Sequence, residues 1–257
     1  MPDNYKISAC VVTYNNSSCV KTAVSSVVEN TKKKELCMFV CDNCSTDNTL
    51  DTLKDIDSLN LIKLDKNVGF GKAHNAVLGK IDSKYHAVIN PDIRVDYDVL
   101  SDLADYLDEH PDAVMVTPKI LNDDKSEQHL PKRTPTFKYV FLGRLGSVIK
   151  PLAKYREIYT RSNEQITEPC EIDFCTGCFF LIRTEVFKKL NGFDDNFFMY
   201  FEDADLARRA KQYGKVMFIP NHTVTHLWER ASAKSIKYLF IHLISYFKYM
   251  LKWRRSK

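Results

Sequence analysis

Residues 6–13 read Lys6-Ile-Ser-Ala-Cys-Val-Val-Thr13, an apolar run rich in β-branched side chains. This composition is typical of a strand that is buried on both faces of a sheet. A polar turn follows at residues 14–18, and valines then recur at the spacing of one helix face, at Val20, Val24, Val27 and Val28. The start of the chain therefore predicts a buried strand, a turn and an amphipathic helix.

The same alternation continues along the chain. A second buried run spans residues 36–41, a helix is predicted from about Thr49, and strands are predicted at Leu59–Leu64 and Tyr85–Asn90. Strands that alternate with helices in this way are typical of a parallel, doubly wound sheet. We therefore expect an α/β fold with a mostly parallel central sheet and flanking helices.

Polar clusters follow these strands, at positions where parallel strands end together. They are Asp42-Asn-Cys-Ser-Thr-Asp47, Asn67-Val-Gly-Phe-Gly-Lys-Ala-His-Asn75 and Asn90-Pro-Asp92. Glycines at the start of a helix let backbone N–H groups approach a phosphate. Asp92 could bind a divalent cation that bridges to phosphates, although Asp and Pro are also common β-turn residues. A ligand site is expected at this edge of the sheet.

A cluster of acidic residues is a second indication of a functional site. Residues 191–209 place Glu202, Asp203 and Asp205 directly after the aromatic run Phe197–Phe201. The residues from Asp203 onward favour a helix, so these acids fall in its first turn, where the helix dipole stabilises a carboxylate. A carboxylate beside apolar rings suits a general base. Asp205 has a simpler interpretation, an ion pair with an arginine one turn later. Glu202 and Asp203 are therefore the candidate catalytic acids.

The composition and charge of the chain limit which kinds of partner it can have. The 257 residues are 44% hydrophobic and 27% charged, with a net charge of +4, which suits one domain with or without an appendage. This charge is too small to indicate a nucleic-acid partner. Residues 231–257, however, hold seven Lys or Arg and no acid, so an anionic partner is expected there. Two Cys-x-x-Cys pairs, Cys41/Cys44 and Cys175/Cys178, are far apart in sequence and favour buried thiols over structural zinc.

A set of motifs occurs in order along the chain: Thr13-Tyr-Asn15, Asp42-Asn-x-Ser-x-Asp47, Asn67-x-Gly-Phe-Gly-x-x-x-Asn75, Asn90-Pro-Asp92, Gly177, Gly192-Phe-Asp194 and Glu202-Asp-x-Asp205. This set resembles the motifs of the family 2 inverting glycosyltransferases of the GT-A fold, in the subgroup with bacterial rhamnosyltransferases. The resemblance covers roughly residues 6–232. It implies a Rossmann-like GT-A domain over residues 1–232, with a nucleotide-sugar half at about 1–118 and an acceptor half at about 119–232. It also implies a nucleoside-diphosphate sugar donor and Mn²⁺ or Mg²⁺.

The resemblance further implies roles for single residues. The nucleotide-sugar site would be lined by Thr13, Tyr14, Asn15, Asp42, Asn43, Asn67, Gly71, Asn75 and Asn90, with Asp42 reading the pyrimidine. Asp92 and His226 would hold the metal, with Ser232 close to His226 in sequence. Asp203 would be the catalytic base, and Glu202 would orient acceptor or sugar hydroxyls. Asn90 stands where the family usually has an Asp, which leaves fewer carboxylates for a metal.

The implied reaction is a metal-assisted, inverting hexosyl transfer. L-rhamnose from dTDP-rhamnose is the best match, passed to a hydroxyl of a glycan acceptor, often lipid-linked, in cell-surface polysaccharide synthesis. Two other classes stay open. A sugar nucleotidyltransferase expects a glycine-rich basic loop where this chain has Tyr14-Asn-Asn-Ser-Ser18. A non-catalytic carbohydrate-binding protein has no need of Glu202 and Asp203.

The C-terminal residues 233–257 predict an amphipathic, basic helical tail. Its apolar face comprises Ile236, Leu239, Phe240, Leu243, Ile244, Phe247 and Leu251, and Tyr246, Tyr249 and Trp253 suit a lipid headgroup boundary. We expect it to bind an anionic membrane surface, the alternatives being packing on the domain or on a second subunit in a homodimer.

Two further expectations concern the location of the protein in the cell and the part of the chain that could bind the acceptor. The N-terminus lacks the pattern of a signal peptide and no run is long enough to span a bilayer, so we expect a cytoplasmic protein, peripheral at the inner face of the cell membrane. Residues 137–156 alternate apolar and basic side chains. They predict either a helix packed on the sheet or part of an acceptor platform.

Overall fold

The computed structural model describes residues 5–32, 35–146, 148–227 and 236–254. The strands are β1 Tyr5–Thr13, β2 Leu36–Asp42, β3 Leu59–Lys63, β4 Ser83–Ile89, β5 Ile93–Arg94, β6 Ala113–Leu121, β7 Cys170–Glu171, β8 Phe179–Arg183 and β9 Lys215–His226. The helices are α1 Val20–Asn30, α2 Phe70–Asn75, α3 Val99–Glu109, α4 Gly143–Leu145, α5 Ala153–Thr160, α6 Thr184–Lys189, α7 Glu202–Ala210 and α8 Ile236–Trp253.

Within the described ranges, the nine strands form one sheet in the order β3-β2-β1-β4-β8-β6-β9-β5, and β7 also pairs with β9. The first four strands in this order are parallel neighbours. The predicted α/β fold, with flanking helices and a C-terminal helix, is confirmed.

The sheet also contains antiparallel pairs, because β8 runs antiparallel between β4 and β6. Its first residue, Phe179, pairs with Ile89 at the carboxyl end of β4. Residues 122–178 therefore leave β6 and return to the sheet at the same edge, so β8 can only run back across it. The same excursion supplies residues to the site at this edge.

The core has two layers, one on each face of the sheet. Along β1, Ala9 and Val11 belong to one apolar cluster, and Cys10 and Val12 to the other. Helices α1 and α3 cover the first face, and α2, α6 and α7 cover the second. This confirms that β1 is buried on both faces, as its composition predicts.

One helix prediction needs adjustment. The helix expected from about Thr49 is only a 3₁₀ turn, Leu50–Leu53. Helix α3 begins at Val99, because Asp98 caps it by accepting a hydrogen bond from the N–H of Ser101 at 3.2 Å.

Residues 137–160 form a helical hairpin, in which residue 147 lies outside the described ranges. A π-helical turn, Lys138–Leu142, continues into α4, and a 3₁₀ turn, Lys150–Leu152, leads into α5. Gly146 lets the two arms meet, since a Cβ there would lie 2.6 Å from the Cα of Ala153.

Helix α8 packs on the domain through the side opposite to the predicted apolar face. Tyr246 and Tyr249, expected at a headgroup boundary, are 2% and 1% exposed, whereas Phe240 and Phe247 are 59% and 58% exposed. The inner side can be aromatic and polar because its hydroxyl and amine groups find partners in the domain. No helix in the described part of the chain is long and apolar enough to cross a membrane.

Candidate active site

The loops that follow β1 and β2 are joined by hydrogen bonds at the carboxyl edge of the sheet. Asn15, in the left-handed region with φ 55°, donates its N–H to Ser45 Oγ at 2.9 Å and accepts the N–H of Thr46 on Oδ1 at 2.8 Å. The buried carboxylate of Asp42 accepts the N–H of Ser45 at 3.2 Å. Thr13, Asn15 and Asp42 therefore come together as predicted, and Tyr14 is exposed beside them.

The amides of Asn43 and Asn67 hold the next loop in place. Asn43 accepts the N–H of Val68 at 2.9 Å and donates to Asn67 Oδ1 at 3.1 Å, and that oxygen also accepts the N–H of Gly69 at 3.0 Å. Both side chains are thus engaged within the protein. Their bonds shape the loop backbone at the start of α2.

Gly71 and Asn75 lie against the segment that precedes α7. A Cβ on Gly71 would lie 2.7 Å from the Cβ of Phe193. Asn75 accepts the N–H of Phe193 at 2.9 Å and donates to its carbonyl at 2.8 Å and to Asp195 at 2.9 Å. Both residues contact the segment 193–195 because α2 packs on it, and their contacts to a nucleotide stay a prediction.

Asp92 and His226 are brought together although 134 positions separate them in the sequence. Nε2 of His226 lies 3.1 Å from Oδ1 of Asp92, which is buried and has no hydrogen-bond partner among the described residues. The N–H of Leu227 donates to the carbonyl of Asp92 at 2.9 Å and keeps the two segments in register. Ser232 lies outside the described residues.

Gln128, which the sequence reasoning missed, fixes the tautomer of His226. Its Nε2 donates to the carbonyl of His226 at 3.1 Å, and a carbonyl only accepts, so Oε1 must be the atom 2.9 Å from His226 Nδ1. Nδ1 therefore carries the hydrogen, and in the neutral imidazole Nε2 presents its lone pair beside Asp92. Histidines that bind metals are oriented in this way by a second hydrogen bond.

This pair fits a divalent cation. A lone pair and a carboxylate oxygen 3.1 Å apart repel each other unless a proton or a cation lies between them. Across the described ranges, no group of three or more His, Cys, Asp or Glu side chains is placed to hold a metal. Asp92 and His226 would thus supply two ligands and leave the remaining positions to water and phosphate oxygens. Asn90 precedes them and donates its N–H to the carbonyl of Cys178 at 2.8 Å.

The acidic residues Glu202, Asp203 and Asp205 lie in the first turn of α7, at the carboxyl edge of the sheet. Tyr200 and Phe201 both have positive φ angles, 70° and 67°, directly before Glu202. Non-glycine residues in this region carry backbone strain and cluster at functional sites. Asp203 is held from two sides, since its Oδ2 accepts the N–H of Gly177 at 3.0 Å and its Oδ1 accepts the N–H of Ala204 at 2.8 Å.

The two neighbouring carboxyl groups differ in protonation. Burial and the charge of Asp203 raise the pKa of Glu202 well above its usual value, and its Oε2 has no hydrogen-bond partner in the described ranges. Burial also raises the pKa of Asp203, but the charge of Lys132 and the N–H of Gly177 oppose the rise. The balance favours Asp203 as the ionised member of the pair, able to take up a proton, and Glu202 as the neutral acid.

Lys132 and Asp205 complete the surroundings of Asp203. The Nζ of Lys132 lies 5.8 Å from the ring centroids of both Tyr159 and Phe174. Lys132 lies between Pro131 and Pro135, in a segment without helix or strand periodicity, so the sequence carried no signal for its role. Asp205 is fully buried and bonds to Arg209 Nε at 2.8 Å, which confirms the ion-pair interpretation.

Comparisons with known proteins identify the family of the chain. Residues 8–191 match the family described as Glycosyl transferase family 2. The chain belongs to this family. Residues 157–230 of this glycosyltransferase also match the family described as N-terminal domain of galactosyltransferase.

Curated relatives of this glycosyltransferase include rhamnosyltransferases. An N-acetylglucosaminyl-diphospho-decaprenol L-rhamnosyltransferase of Mycobacterium tuberculosis is 24% identical, covering 84% of this chain and 74% of that protein. Rhamnosyltransferase WbbL of Escherichia coli is 25% identical, covering 72% and 71%. The dTDP-rhamnosyl transferase RfbF of Shigella flexneri is 23% identical, covering 87% and 69%.

Solved structures support the fold. GalNAc-T7 with UDP, GalNAc and Mn²⁺ gives a TM-score of 0.69 at 16% identity, covering 97% of this chain and 48% of that one. The mannosyltransferase PcManGT of Pyrobaculum calidifontis, with GDP-Man and Mn²⁺, gives 0.65 at 17% identity, covering 97% and 65%. This glycosyltransferase thus spans less than two thirds of either chain.

Proposed function

We propose that the protein is an inverting rhamnosyltransferase that moves L-rhamnose from dTDP-rhamnose to a hydroxyl of a lipid-linked glycan. The observation that carries the proposal is Asp203, a carboxylate fixed by two backbone N–H groups at the ligand edge of the sheet, beside the neutral acid Glu202. The choice of sugar and acceptor is supported by the activities that the relatives' names give.

Asp203 is the proposed general base. In an inverting transfer the acceptor hydroxyl attacks the anomeric carbon on the face opposite the diphosphate, through an oxocarbenium-like state. The attack needs one base and no enzyme nucleophile, and the N–H groups of Gly177 and Ala204 fix the carboxylate in place for it. Glu202, as a neutral acid, can donate a hydrogen bond to a sugar or acceptor hydroxyl.

The nucleotide and its diphosphate are proposed to bind at the loops after β1, β2 and β4. Thr13, Tyr14, Asn15 and Asp42 would contact the nucleoside, while Asn43 and Asn67 would support the loop. Asp92 and His226 would hold Mn²⁺ or Mg²⁺, which when bound neutralises charge on the departing diphosphate. We further propose that the enzyme works at the inner face of the cell membrane.

A donor assay tests this proposal. The protein is incubated with dTDP-rhamnose, UDP-GlcNAc or GDP-mannose, each with a lipid-diphosphate-linked N-acetylglucosamine acceptor and Mn²⁺. We expect release of dTDP and a rhamnosylated product with the inverted anomeric configuration by NMR. In a parallel mixture of dTTP and a sugar 1-phosphate, release of pyrophosphate would instead indicate a nucleotidyltransferase. Donor binding without turnover of any sugar would indicate a carbohydrate-binding protein.

A further inference from the structure

The protein exposes apolar side chains on two neighbouring elements, the helical hairpin and α8. In the hairpin Leu145 and Val148 are 48% and 83% exposed, and on α8 Phe240, Ile244, Phe247 and Leu251 are 54–67% exposed. The rings of Phe141 and Tyr246 meet edge to face at 4.9 Å, so the two elements are in contact. We call these six side chains the outer face. Monomeric soluble proteins seldom expose large side chains grouped in this way.

The two segments that carry the outer face are also free of acids. Residues 128–156 and 236–254 together contain eleven of the 37 Lys and Arg residues and none of the 33 acidic residues. The rest of the chain therefore has an excess of acid. Basic side chains that are exposed beside the apolar ones include Lys138, Lys150, Lys154 and Lys237.

We propose that the hairpin and α8 form one composite docking face for an anionic lipid surface. This inference rests on the proposed function, because the acceptor would be presented at that surface. The expectation from the sequence concerned the C-terminal tail alone. Here the hairpin supplies the second half of the face, and apolar side chains enter the lipid while lysines meet the headgroups.

Charge favours lipid over the other occupants. A second copy docked through the same face would bring two acid-free, basic segments together, which costs electrostatic free energy. A nucleic acid would meet the lysines, but Leu145, Val148, Ile244 and Leu251 have no apolar partner on a phosphate backbone. An anionic bilayer satisfies both kinds of side chain.

The inner side of α8 connects the docking face to the catalytic segment. Ser245 Oγ donates to the carbonyl of Met199 at 2.7 Å, and Lys248 Nζ donates to the carbonyl of Asn196 at 2.6 Å. Lys252 Nζ contacts Asp205 at 2.6 Å, and Trp253 Nε1 donates to the same carboxylate at 3.0 Å. The docking face is thus fastened to the residues on both sides of Asp203.

Lys132 places the base near the same side of the molecule. Burial, with the charges of Arg144 and Lys132, lowers the pKa of His242 on α8 to about 4. The charge of Lys132 also acts on Asp203. The charge of Lys132 thus acts on both the base and α8, and α8 itself contacts Asp205, two residues after the base. Docking through the outer face would then hold the start of α7 near the lipid surface, where a lipid-linked sugar would lie.

Vesicle sedimentation tests the composite face. The full chain is mixed with phosphatidylglycerol vesicles or phosphatidylcholine vesicles at low and high salt. We compare Val148→Glu in the hairpin, Phe247→Glu on α8, and the control Leu61→Glu on β3, where Leu61 is 44% exposed. Thermal melting and dTDP binding verify that each variant is folded.

We expect the wild type to bind phosphatidylglycerol vesicles, with binding weakened by salt, and to ignore phosphatidylcholine. Each face variant should lower the partition coefficient about tenfold or more, since a carboxylate removes an apolar contact and is repelled by the headgroups, while Leu61→Glu should bind like the wild type. Wild type that ignores anionic vesicles overturns the proposal. So does a Val148→Glu variant that binds normally, because the hairpin is then not part of the face.

Two further results distinguish the lipid proposal from a dimer interface and from the proposed function. A stable dimer that either face variant dissociates assigns the face to a second copy and contradicts the lipid proposal. Transfer to a water-soluble acceptor is measured in parallel, and we expect it to be equal in all four proteins. If transfer is absent in all four while vesicle binding follows the expected pattern, the proposed function is refuted but the docking face is not.

Discussion

The N–H of Gly177 donates a hydrogen bond to Oδ2 of Asp203 at 3.0 Å, across 26 positions of sequence. A Cβ on Gly177 would lie 3.0 Å from the ring of Phe70, so a larger residue here would have to push that ring aside. The contact joins the loop before β8 to the first turn of α7. It ties the position of the proposed base to the backbone rather than to a flexible side chain.

The neutral state of Glu202 leads to the first prediction. Because burial and the charge of Asp203 hold this carboxyl protonated, Glu202→Gln should retain most of the turnover, within about tenfold. Glu202→Ala should lose more, since it removes the hydrogen-bond donor. The measurement is steady-state turnover with saturating donor. A Gln variant as inactive as the Ala variant would mean that Glu202 acts in its ionised form.

Lys132 should set the acidic limb of the pH profile. Its positive charge lowers the pKa of Asp203, so Lys132→Met should raise that pKa. Turnover needs the ionised base and falls as pH drops through the pKa, so the acidic limb should move to higher pH. The control is Lys63→Met on β3, an exposed lysine far along the sheet. An unshifted limb with a uniformly lower rate would assign Lys132 to packing or to substrate binding instead.

Gln128 should act on metal affinity through His226. Gln128→Leu removes the acceptor that holds the hydrogen on Nδ1, so Nε2 is no longer kept as the lone-pair nitrogen. Loss of such outer contacts commonly weakens metal binding about 10–100-fold. We expect the Mn²⁺ concentration for half-maximal activity to rise by this order, with little change at saturating metal. Full activity of the wild type after treatment with a chelator would contradict the metal role altogether.

Two buried histidines should limit stability in acid. Burial lowers the pKa of His86 to about 3 and, with the charge of His86, lowers that of His74 well below its usual value. Unfolded histidines titrate near 6.5, so below that pH the unfolded state binds more protons. The free energy of unfolding should then fall by about 1.4 kcal/mol per pH unit for each histidine.

His74→Phe tests this assignment. The ring of His74 packs against Phe70 and Phe193, so a phenyl group fits the surroundings. The variant should lose about half of the slope between pH 6.5 and 5, measured by denaturant unfolding. The same slope in wild type and variant would show that other groups carry the acid sensitivity.

Residues at strand ends could be located from the sequence. Thr13, Asp42 and Asp92 follow strands with clear apolar patterns, and parallel strands end at one edge. Asp203 could be predicted for a different reason, because it is an acid in the first turn of a helix that follows an aromatic run. In each case a local pattern and one general rule were enough.

Other parts of the site depend on contacts that no local pattern encodes. Asn75 bonds to Phe193, 118 positions away, so its orientation follows from how α2 packs on the acidic segment. Gln128 and Lys132 belong to a segment without periodicity and acquire their roles only when the chain returns to the sheet at β8. On α8 the apolar stripe faces outward, because tyrosine, serine and lysine side chains find hydrogen-bond partners on the inner side.

Turnover by Asp203→Asn tests the central claim most directly. Asn keeps the size of the side chain and can still accept the N–H of Gly177, but it cannot take a proton at neutral pH. With dTDP-rhamnose and a soluble acceptor, kcat should fall about 10²–10⁴-fold, while the dissociation constant for dTDP should stay within about twofold of the wild type. Near-normal kcat in a folded Asp203→Asn protein would contradict the assignment of Asp203 as the base.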